Sequence, residues 1–235
     1  MNEQDRKLLV IKASSDPMLQ AVLKEKCRQD IYFWFDTFCW TFDPRRDNTT
    51  VAFNLYDYQR KLVKHLYHAI EAQHDFGIEK SRDMGVSWVV ALLFQYCWTF
   101  HKGWNFHIGS RKEDEVDERG NISTIFEKIR FNLNHQPYWL TPSGWDKKEN
   151  TSHMKLVNPD NGNVISGEAA CSNFGRGGRY RAVLLDEFAQ WAFAEASWGS
   201  VSQSTRCRIV NGTPYGKNNK YAQLMNDPRN ELIVL

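Results

Sequence analysis

The sequence lacks the features that define several classes of protein. Its five cysteines are scattered, with no pair separated by two residues, which argues against a zinc site and against a disulfide framework. An odd, unpatterned set of this kind fits a reducing compartment. The most apolar stretch, residues 88–100, contains Gln95 and is too short to span a bilayer. There is no internal repeat and no low-complexity tract.

What is present is typical of a globular protein. A chain of 235 residues can bury one sizeable core, as one large domain or as one domain with a lobe. The charged fraction of 25% is ordinary, so wholesale disorder is not expected. The net charge of +2 is only slightly basic and does not by itself identify a protein that binds nucleic acid.

The apolar pattern predicts an α/β fold. Strands that are apolar throughout, such as AVLL at 182–185, indicate a mainly parallel sheet that helices cover on both faces. DNGN at 160–163 predicts a hairpin. The expected helices cover 4–12, 17–38, 55–73, 87–100, 116–135 and 216–226, and the expected strands cover 76–81, 104–110, 153–159, 163–169, 181–189, 205–216 and 231–235.

The stretch EKSRDMGVSW resembles a phosphate-binding loop that has lost its lysine. In the pattern G-x-x-x-x-G-K-[ST], Gly85 and Ser87 take the last glycine and the hydroxyl, while Lys80 takes the first glycine and Val86 the lysine. Backbone N–H groups at the start of the next helix bind anions, and the Ser87 hydroxyl can bind Mg²⁺. The alternative is a structural turn, because a glycine and a serine often follow a strand.

The missing positive charge is expected from Lys80 or Arg82. Either side chain can reach across the loop to the phosphates, and Arg82 would bring a planar fork that holds two oxygens. We therefore expect the whole loop to contact a nucleotide: Lys80, Ser81, Arg82, Asp83, Met84, Gly85, Val86, Ser87 and Trp88.

Two adjacent carboxylates end the strand AVLLDE. Packing alone explains them poorly, because burying a charge costs on the order of several kcal/mol unless an opposite charge or hydrogen bonds compensate it. Asp186 is expected to hold Mg²⁺, and Glu187 to orient and polarise the water that attacks the γ-phosphate. The alternative is an ordinary helix N-cap at the end of a strand.

Three further stretches gain weight from their order along the chain. In VNGTP, Asn211 or Thr213 can sense the γ-phosphate, although the stretch also reads as an ordinary turn. In NFGRGGRYR, Arg176 or Arg179 can reach a phosphate in the same subunit or in a neighbour, or contact a nucleic-acid backbone. A solvated loop with no role is the alternative for this stretch.

An aromatic residue and a glutamine precede the phosphate loop by about twenty residues. Tyr58 can stack on an adenine, and the Gln59 amide can pair with its donor and acceptor together. Without the neighbouring motifs, Gln59 would read as a solvated residue of an amphipathic helix.

Taken in order, these motifs resemble the ATPase domain of a large terminase subunit, the motor that packages DNA into tailed-phage capsids. The resemblance covers roughly residues 30–235 and includes the basic residue that begins the loop in many large terminases. It implies an α/β P-loop NTPase of the additional-strand glutamate type, with an N-terminal helical segment at 1–45 and the ATPase domain at 46–235. It also implies a coupling motif at 211–214 and favours Arg176 as the finger.

The resemblance further implies an ATPase that uses ATP and Mg²⁺ in the host cytoplasm. The implied partners are double-stranded DNA, bound non-specifically by its backbone, a portal protein, a small terminase subunit and other copies in a ring, with no membrane. Because the chain stops at ELIVL, we expect no nuclease domain and no DNA cleavage. Two other readings stay open, namely the first lobe of a helicase-type translocase and a nucleotide-switched assembly module that hydrolyses poorly.

Overall fold

The structure is a computed structural model that describes all 235 residues. Nine α-helices alternate with ten strands along the chain. The helices are α1 (Glu3–Ser14), α2 (Pro17–Gln29), α3 (Ile31–Phe38), α4 (Asp57–Ala72), α5 (Val86–Phe100), α6 (Glu113–Val116), α7 (Ile125–His135), α8 (Ala194–Val201) and α9 (Lys220–Met225). None of them is long and apolar enough to cross a membrane.

Eight of the strands form one twisted central sheet. They are β3 (Phe76–Glu79), β4 (Phe106–Ser110), β5 (Thr151–Ser152), β6 (Lys155–Val157), β7 (Val164–Ala169), β8 (Ala182–Leu185), β9 (Arg208–Gly212) and β10 (Glu231–Val234). Their order is β10-β3-β9-β8-β4-β7-β6-β5. The first six are parallel, and the β6–β7 hairpin and β5 are antiparallel.

The sheet is covered on both faces, which explains why its central strand β8 is apolar throughout. In β8, Ala182 and Leu184 belong to the large core formed with α4, α5 and α7. Val183 and Leu185 belong to a smaller core under α8, α9 and the 3-10 helix at Phe188–Gln190. Because successive side chains of a strand point to opposite faces, both sets must be apolar.

The N-terminal helices pack into the large core rather than standing apart. Their buried residues, such as Trp34 and Phe35, belong to the same cluster as the sheet. The buried Arg6 guanidinium donates to the Cys39 carbonyl at 2.5 Å and to Asn54 Oδ1 at 2.7 Å. Thus α1 is tied to the segment that leads into α4.

Most of the predicted elements are confirmed, but several predicted boundaries are wrong. The strand predicted over 181–189 ends at Leu185, the strand predicted over 205–216 covers only Arg208–Gly212, and the helix predicted over 216–226 begins at Lys220. The helix predicted over 17–38 is two helices, because Asp30 caps the N-terminus of α3 through bonds from Tyr32 N and Phe33 N. The helix predicted over 116–135 begins only at Ile125, where Thr124 is the N-cap. The polar connector after residue 39 contains the unpredicted pair β1 (Trp40–Phe42) and β2 (Thr50–Ala52), and α8 was not predicted.

Candidate nucleotide site

The structure brings the predicted phosphate loop and the two carboxylates together at the carboxyl edge of the sheet. The strand β9 lies between β3, which leads into the loop, and β8, which leads into Asp186. Lys80 Nζ lies 3.0 Å from Glu187 Oε1, and Asn211 Nδ2 lies 2.5 Å from Asp186 Oδ1. Ligands of open parallel sheets bind beyond the carboxyl ends of the strands, so this edge is the candidate site.

The loop has the backbone shape that an anion-binding turn requires. Asp83 and Gly85 both have positive φ, 62° and 68°. An added Cβ at Gly85 would lie 2.7 Å from Gln59 Nε2, so glycine is needed for its φ and for the close approach. The first hydrogen bond of α5 runs from Val89 N to Gly85 O. The N–H groups of Val86 and Ser87 therefore point out of the helix end, where they favour an anion.

Two side chains from the start of α4 hold the loop in this shape. The hydroxyl of Tyr58 and the amide of Gln59 both donate to the Met84 carbonyl, at 3.1 and 3.2 Å. Gln59 Oε1 also accepts from Tyr56 N at 3.1 Å, which completes a capping box. Gln59 is buried and retains one amide N–H that is free of these bonds.

The exposed ring of Tyr56 stacks on Tyr58 at 5.7 Å with an interplanar angle of 7°. The sequence analysis named Tyr58 as the aromatic residue of this region, but it did not predict that Tyr56 stacks on it. The signal in the sequence was a second tyrosine, Tyr56, two residues before Tyr58, where α4 begins.

The two candidate cations occupy different environments. The Lys80 side chain is only 10% exposed and is paired with Glu187, whereas Arg82 is exposed and makes no hydrogen bond or ion pair. The side chain of Val86, which takes the place of the usual lysine, is 2% exposed and packs in the large core. The side chain at this position therefore contributes to packing rather than to charge.

Asp186 is a buried carboxylate in a strongly charged setting. Burial, followed by the nearby charge of Glu187, raises the pKa of Asp186 to about 6, against the opposing effects of the Asn211 bond, Lys80 and Lys128. Lys128 on α7 is itself buried, which lowers its pKa to about 8. Its ammonium donates to the carbonyls of Ser123 and Thr124.

Glu187 is held in an uncommon backbone conformation at the mouth of the site. Its φ of 50° and ψ of 36° are left-handed, which costs free energy for a residue that is not glycine. Gln190 Nε2 lies 3.5 Å from Glu187 Oε2, and Arg111 Nη1 donates to Gln190 Oε1 at 2.8 Å. Arg111 therefore lies one side chain away from the carboxylate.

Other predicted site residues lie near this edge with less defined contacts. Ser87 and Thr213 are half-buried, in the first turn of α5 and just after β9. Ser81 and Asp83 are exposed loop residues, and Ser81 N donates to Leu235 O at 3.2 Å. The Trp88 ring packs against Phe131, 6.0 Å between centroids, so only its backbone can face a ligand.

The arginine loop between β7 and β8 runs away from this site. Glu168 fixes the loop by accepting from Gly175 N at 3.0 Å. Arg176 and Arg179 are both exposed and bond only within the loop, to Asn173 Oδ1 and to the Gly178 carbonyl. Neither arginine touches the carboxylates of its own chain.

Two basic residues near the carboxylates were missed from the sequence. Arg111 directly follows β4, so the rule that ligands bind beyond strand ends could have found it. Lys128 falls on the buried face of α7 together with Ile125 and Ile129, and a charge inside an apolar stripe was the signal.

The residues at this edge fit a magnesium nucleotide better than a metal ion held by protein alone. No group of three or more His, Cys, Asp or Glu side chains is arranged to hold a metal. Mg²⁺ is commonly bound by one or two carboxylates together with substrate phosphates. Asn211 Oδ1 is buried without a hydrogen-bond partner beside Asp186, which leaves an oxygen available for a cation or for its water.

Comparison with known proteins supports the fold. No protein-family model matches the sequence. The structure is similar to the crystal structure of the HK97 bacteriophage large terminase, with a TM-score of 0.60 and 15% identity over 88% of this chain and 43% of that one. This chain therefore spans less than half the length of that terminase.

Two further structures match less closely. The Thermus phage P74-26 large terminase ATPase domain matches with a TM-score of 0.48 and 15% identity, over 76% of this chain and 84% of that one. An arginine-to-alanine mutant of that domain has a TM-score of 0.49 and 16% identity, over 77% and 85%. From its topology and its likeness to the HK97 structure, the chain has the α/β fold of a P-loop NTPase with an additional strand between the loop strand and the carboxylate strand.

Proposed function

We propose that this chain is the ATP-hydrolysing motor domain of a viral DNA-packaging terminase, which couples hydrolysis to the translocation of double-stranded DNA into procapsids. The observation that carries the proposal is the meeting of a phosphate-type loop with a buried carboxylate and a strained glutamate at one sheet edge. Strained backbone and a strongly shifted pKa both cluster at functional sites.

The loop and its neighbours supply the nucleotide contacts in this proposal. The N–H groups at the start of α5 bind phosphate oxygens, and Lys80 and Arg82 supply the charge that Val86 cannot. Tyr58 and Gln59 lie beside the base, where the free amide N–H of Gln59 is the donor that remains. Asn211 and Thr213, on and after the additional strand, sense the terminal phosphate.

Ser87 and Asp186 would hold Mg²⁺ together with the phosphates. The ion neutralises charge that develops on the phosphate oxygens. The raised pKa of Asp186 fits this assignment, because its charged form lacks the compensation in the protein that a cation supplies.

Glu187 is the proposed catalytic residue. Its carboxylate is occupied by Lys80 in the structure, so it must be released before it can orient the attacking water. A γ-phosphate would draw the Lys80 ammonium toward itself, because a phosphate carries more charge than a carboxylate. In this order of events, nucleotide binding frees the Glu187 carboxylate, which takes a proton from the water as the water oxygen bonds to phosphorus, and the bond from the γ-phosphorus to the oxygen of the leaving ADP breaks.

The remaining assignments depend on a neighbouring copy. Arg176 makes no contact with Asp186 or Glu187 of its own chain, so as an arginine finger it would act on the site of the next subunit in a ring. Portal protein, a small terminase subunit and a backbone-bound DNA duplex are the partners proposed for the complete motor.

The direct test is phosphate release from Mg²⁺-ATP as a function of protein concentration. A ring motor gains turnover per molecule as it assembles, because Arg176 completes a neighbour's site. Arg176→Ala should abolish this gain, while Arg229→Ala, an exposed arginine paired with Asp227, should keep it. No nucleotide binding at any concentration would refute the proposal.

A nucleotide-switched assembly module is the second candidate, and the Lys80–Glu187 pair favours it, since the pair occupies the proposed base. Binding of ATP with assembly but without turnover, even in the assembled form, would identify such a module.

A further inference from the structure

A second cleft lies at the opposite edge of the sheet, where the strands begin. Its volume is about 750 Å³, and it is lined by Gln73 and by the segments 102–104, 179–181 and 202–206. These segments lead into β4, β8 and β9, which are neighbours in the sheet. The cleft is therefore separated from the nucleotide site by the length of these strands.

The cleft is lined by positive charge alone. Lys102, Arg179, Arg181 and Arg206 line it, and none of its lining residues is acidic. None of the four takes part in an ion pair. Elsewhere in the chain, ion pairs are formed by Arg60, Arg111, Arg130, Arg208 and Arg229. In a chain with a net charge of +2, four unpaired cations in one cleft are a local concentration of charge.

One of these cations is fixed in place by the protein. The Arg181 guanidinium lies over the Trp104 ring at 4.3 Å and donates from Nη2 to the Glu71 carbonyl at 2.9 Å. Trp104 in turn stacks on His101 at 4.0 Å. Arg181 Nε is buried without a hydrogen-bond partner. The Arg181 side chain donates within the protein only through Nη2, so the donors of Nη1 remain for an oxygen of a ligand in the cleft.

We propose that this cleft binds the phosphodiester backbone of a nucleic acid. Backbone binding requires several Lys and Arg side chains on an open polar surface, and these are the properties of the cleft. A protein partner would need an apolar pocket for an anchoring side chain. The two aromatic residues of the cleft are already stacked, Trp104 on His101 and Tyr180 on His107.

The strands β8 and β9 connect the cleft with the candidate nucleotide site, so a nucleic acid bound in the cleft would affect hydrolysis through them. This part of the inference rests on the proposed function. Arg181 immediately precedes β8, and Asp186 and Glu187 immediately follow it. Arg206 lies just before β9, which carries Asn211, the partner of Asp186. Each strand thus joins a cleft residue to a residue of the nucleotide site through a few hydrogen-bonded residues.

The test compares two double variants that each lose two positive charges. Lys102→Ala with Arg206→Ala removes exposed cations of the cleft, and Lys61→Ala with Lys64→Ala removes exposed, unpaired lysines of α4. Binding of a short fluorescein-labelled DNA duplex is measured by anisotropy over a range of salt concentrations. We expect the cleft variant to lose affinity by about tenfold or more and its salt slope to fall by about 1.8, at about 0.9 per phosphate contact, relative to the wild type.

Three outcomes would overturn the inference, and the third is wild-type DNA binding by the cleft variant. Equal losses in both variants would show diffuse attraction rather than a site, and competition by polyglutamate as effective as that by DNA of equal charge would indicate an acidic protein partner. ATP affinity and DNA-free turnover are measured on the same samples. If ATP is hydrolysed but the cleft variant binds DNA like the wild type, the inference fails and the proposed function stands; DNA binding through the cleft without any ATP binding would show the reverse.

Discussion

The two edges of the central sheet differ in whether their charged side chains have partners within the protein. At the carboxyl edge, the two carboxylates and Lys80 already have partners within the protein, since Lys80 is bound to Glu187 and Asp186 accepts from Asn211, whereas Arg82 is left unpaired. At the amino edge, Lys102 and Arg206 have no ionic partner. A ligand at the first edge must exchange existing bonds, whereas a ligand at the second meets cations that are unpaired.

This difference bears on what each edge can do. Exchanging partners makes the carboxyl edge sensitive to the identity of the ligand, because a weak competitor cannot displace the Lys80–Glu187 pair. Unpaired surface cations give attraction without such selection, and the attraction weakens with salt. Substitutions of the paired residues Lys80, Asp186 and Glu187 therefore test this difference between the two edges.

The largest effect is expected for Glu187→Gln, which keeps the size of the side chain and removes the charge that we propose orients the attacking water. ATP turnover should fall by about a hundredfold or more while ATP binding stays nearly intact. Single-turnover hydrolysis and equilibrium binding are the measurements. Glu195→Gln, an exposed residue of α8, is the control. Turnover within a factor of two of wild type would rule out Glu187 as the catalytic residue.

The second effect concerns Asp186, whose ionisation makes the free energy of unfolding depend on pH. Because the pKa of Asp186 is raised from 3.8 to about 6, ionisation destabilises the folded state as pH rises through that window, and the penalty is complete above it. Asp186→Asn should therefore raise the free energy of unfolding by roughly 3 kcal/mol at neutral pH, and hardly at all below the ordinary pKa of aspartate.

Urea unfolding without nucleotide or Mg²⁺ measures this effect, and Asp160→Asn, an exposed carboxylate, is the control. The same Asp186→Asn variant should bind Mg²⁺-ATP more weakly than the wild type. A stability gain that does not change with pH would contradict the assigned cause.

Lys80→Ala should lower ATP affinity and turnover by about tenfold or more, which corresponds to about 1.4 kcal/mol. Arg82→Ala should have a related effect, and the smaller one, because Arg82 is exposed and bonded to nothing in the protein. Lys64→Ala provides the control for a lost surface charge. If both loop variants keep full affinity and turnover, the loop is a structural turn and the nucleotide binds elsewhere.

The smallest effect is expected for Tyr58→Phe, which removes one hydrogen bond to the Met84 carbonyl. Stability should fall by about 1 kcal/mol, with a loss of ATP affinity of a few-fold, because the Gln59 bond still holds the loop. Thermal unfolding and ATP titration measure both quantities. Tyr138→Phe, whose ring is exposed, should change neither.

Sequence patterns predicted the fold well because they record burial. The strand AVLL is buried throughout and is an uninterrupted apolar run, and the helix α5 is buried over most of its length and is apolar at most positions. The meeting of the loop with Asp186 followed from the rule that strand ends share an edge. The Lys80–Glu187 pair could not be predicted, because it depends on side-chain directions across two strands.

The short elements also escaped prediction for a physical reason. The strands β1 and β2 each have three residues, and their stability comes from packing on α7 rather than from their own pattern. Lys128 was also missed, although it lies on the buried face of α7.

The strand β10 forms an edge of the sheet, and its free side leaves a row of backbone groups unpaired. The side chains of Leu232 and Val234 are 37% and 65% exposed there, so this edge can pair with a strand of another molecule. Leu235, the residue that follows β10, accepts from Ser81 N in the predicted phosphate loop. Self-association through this edge would therefore pull on the loop directly, and a sample that aggregates would lose nucleotide binding before it unfolds.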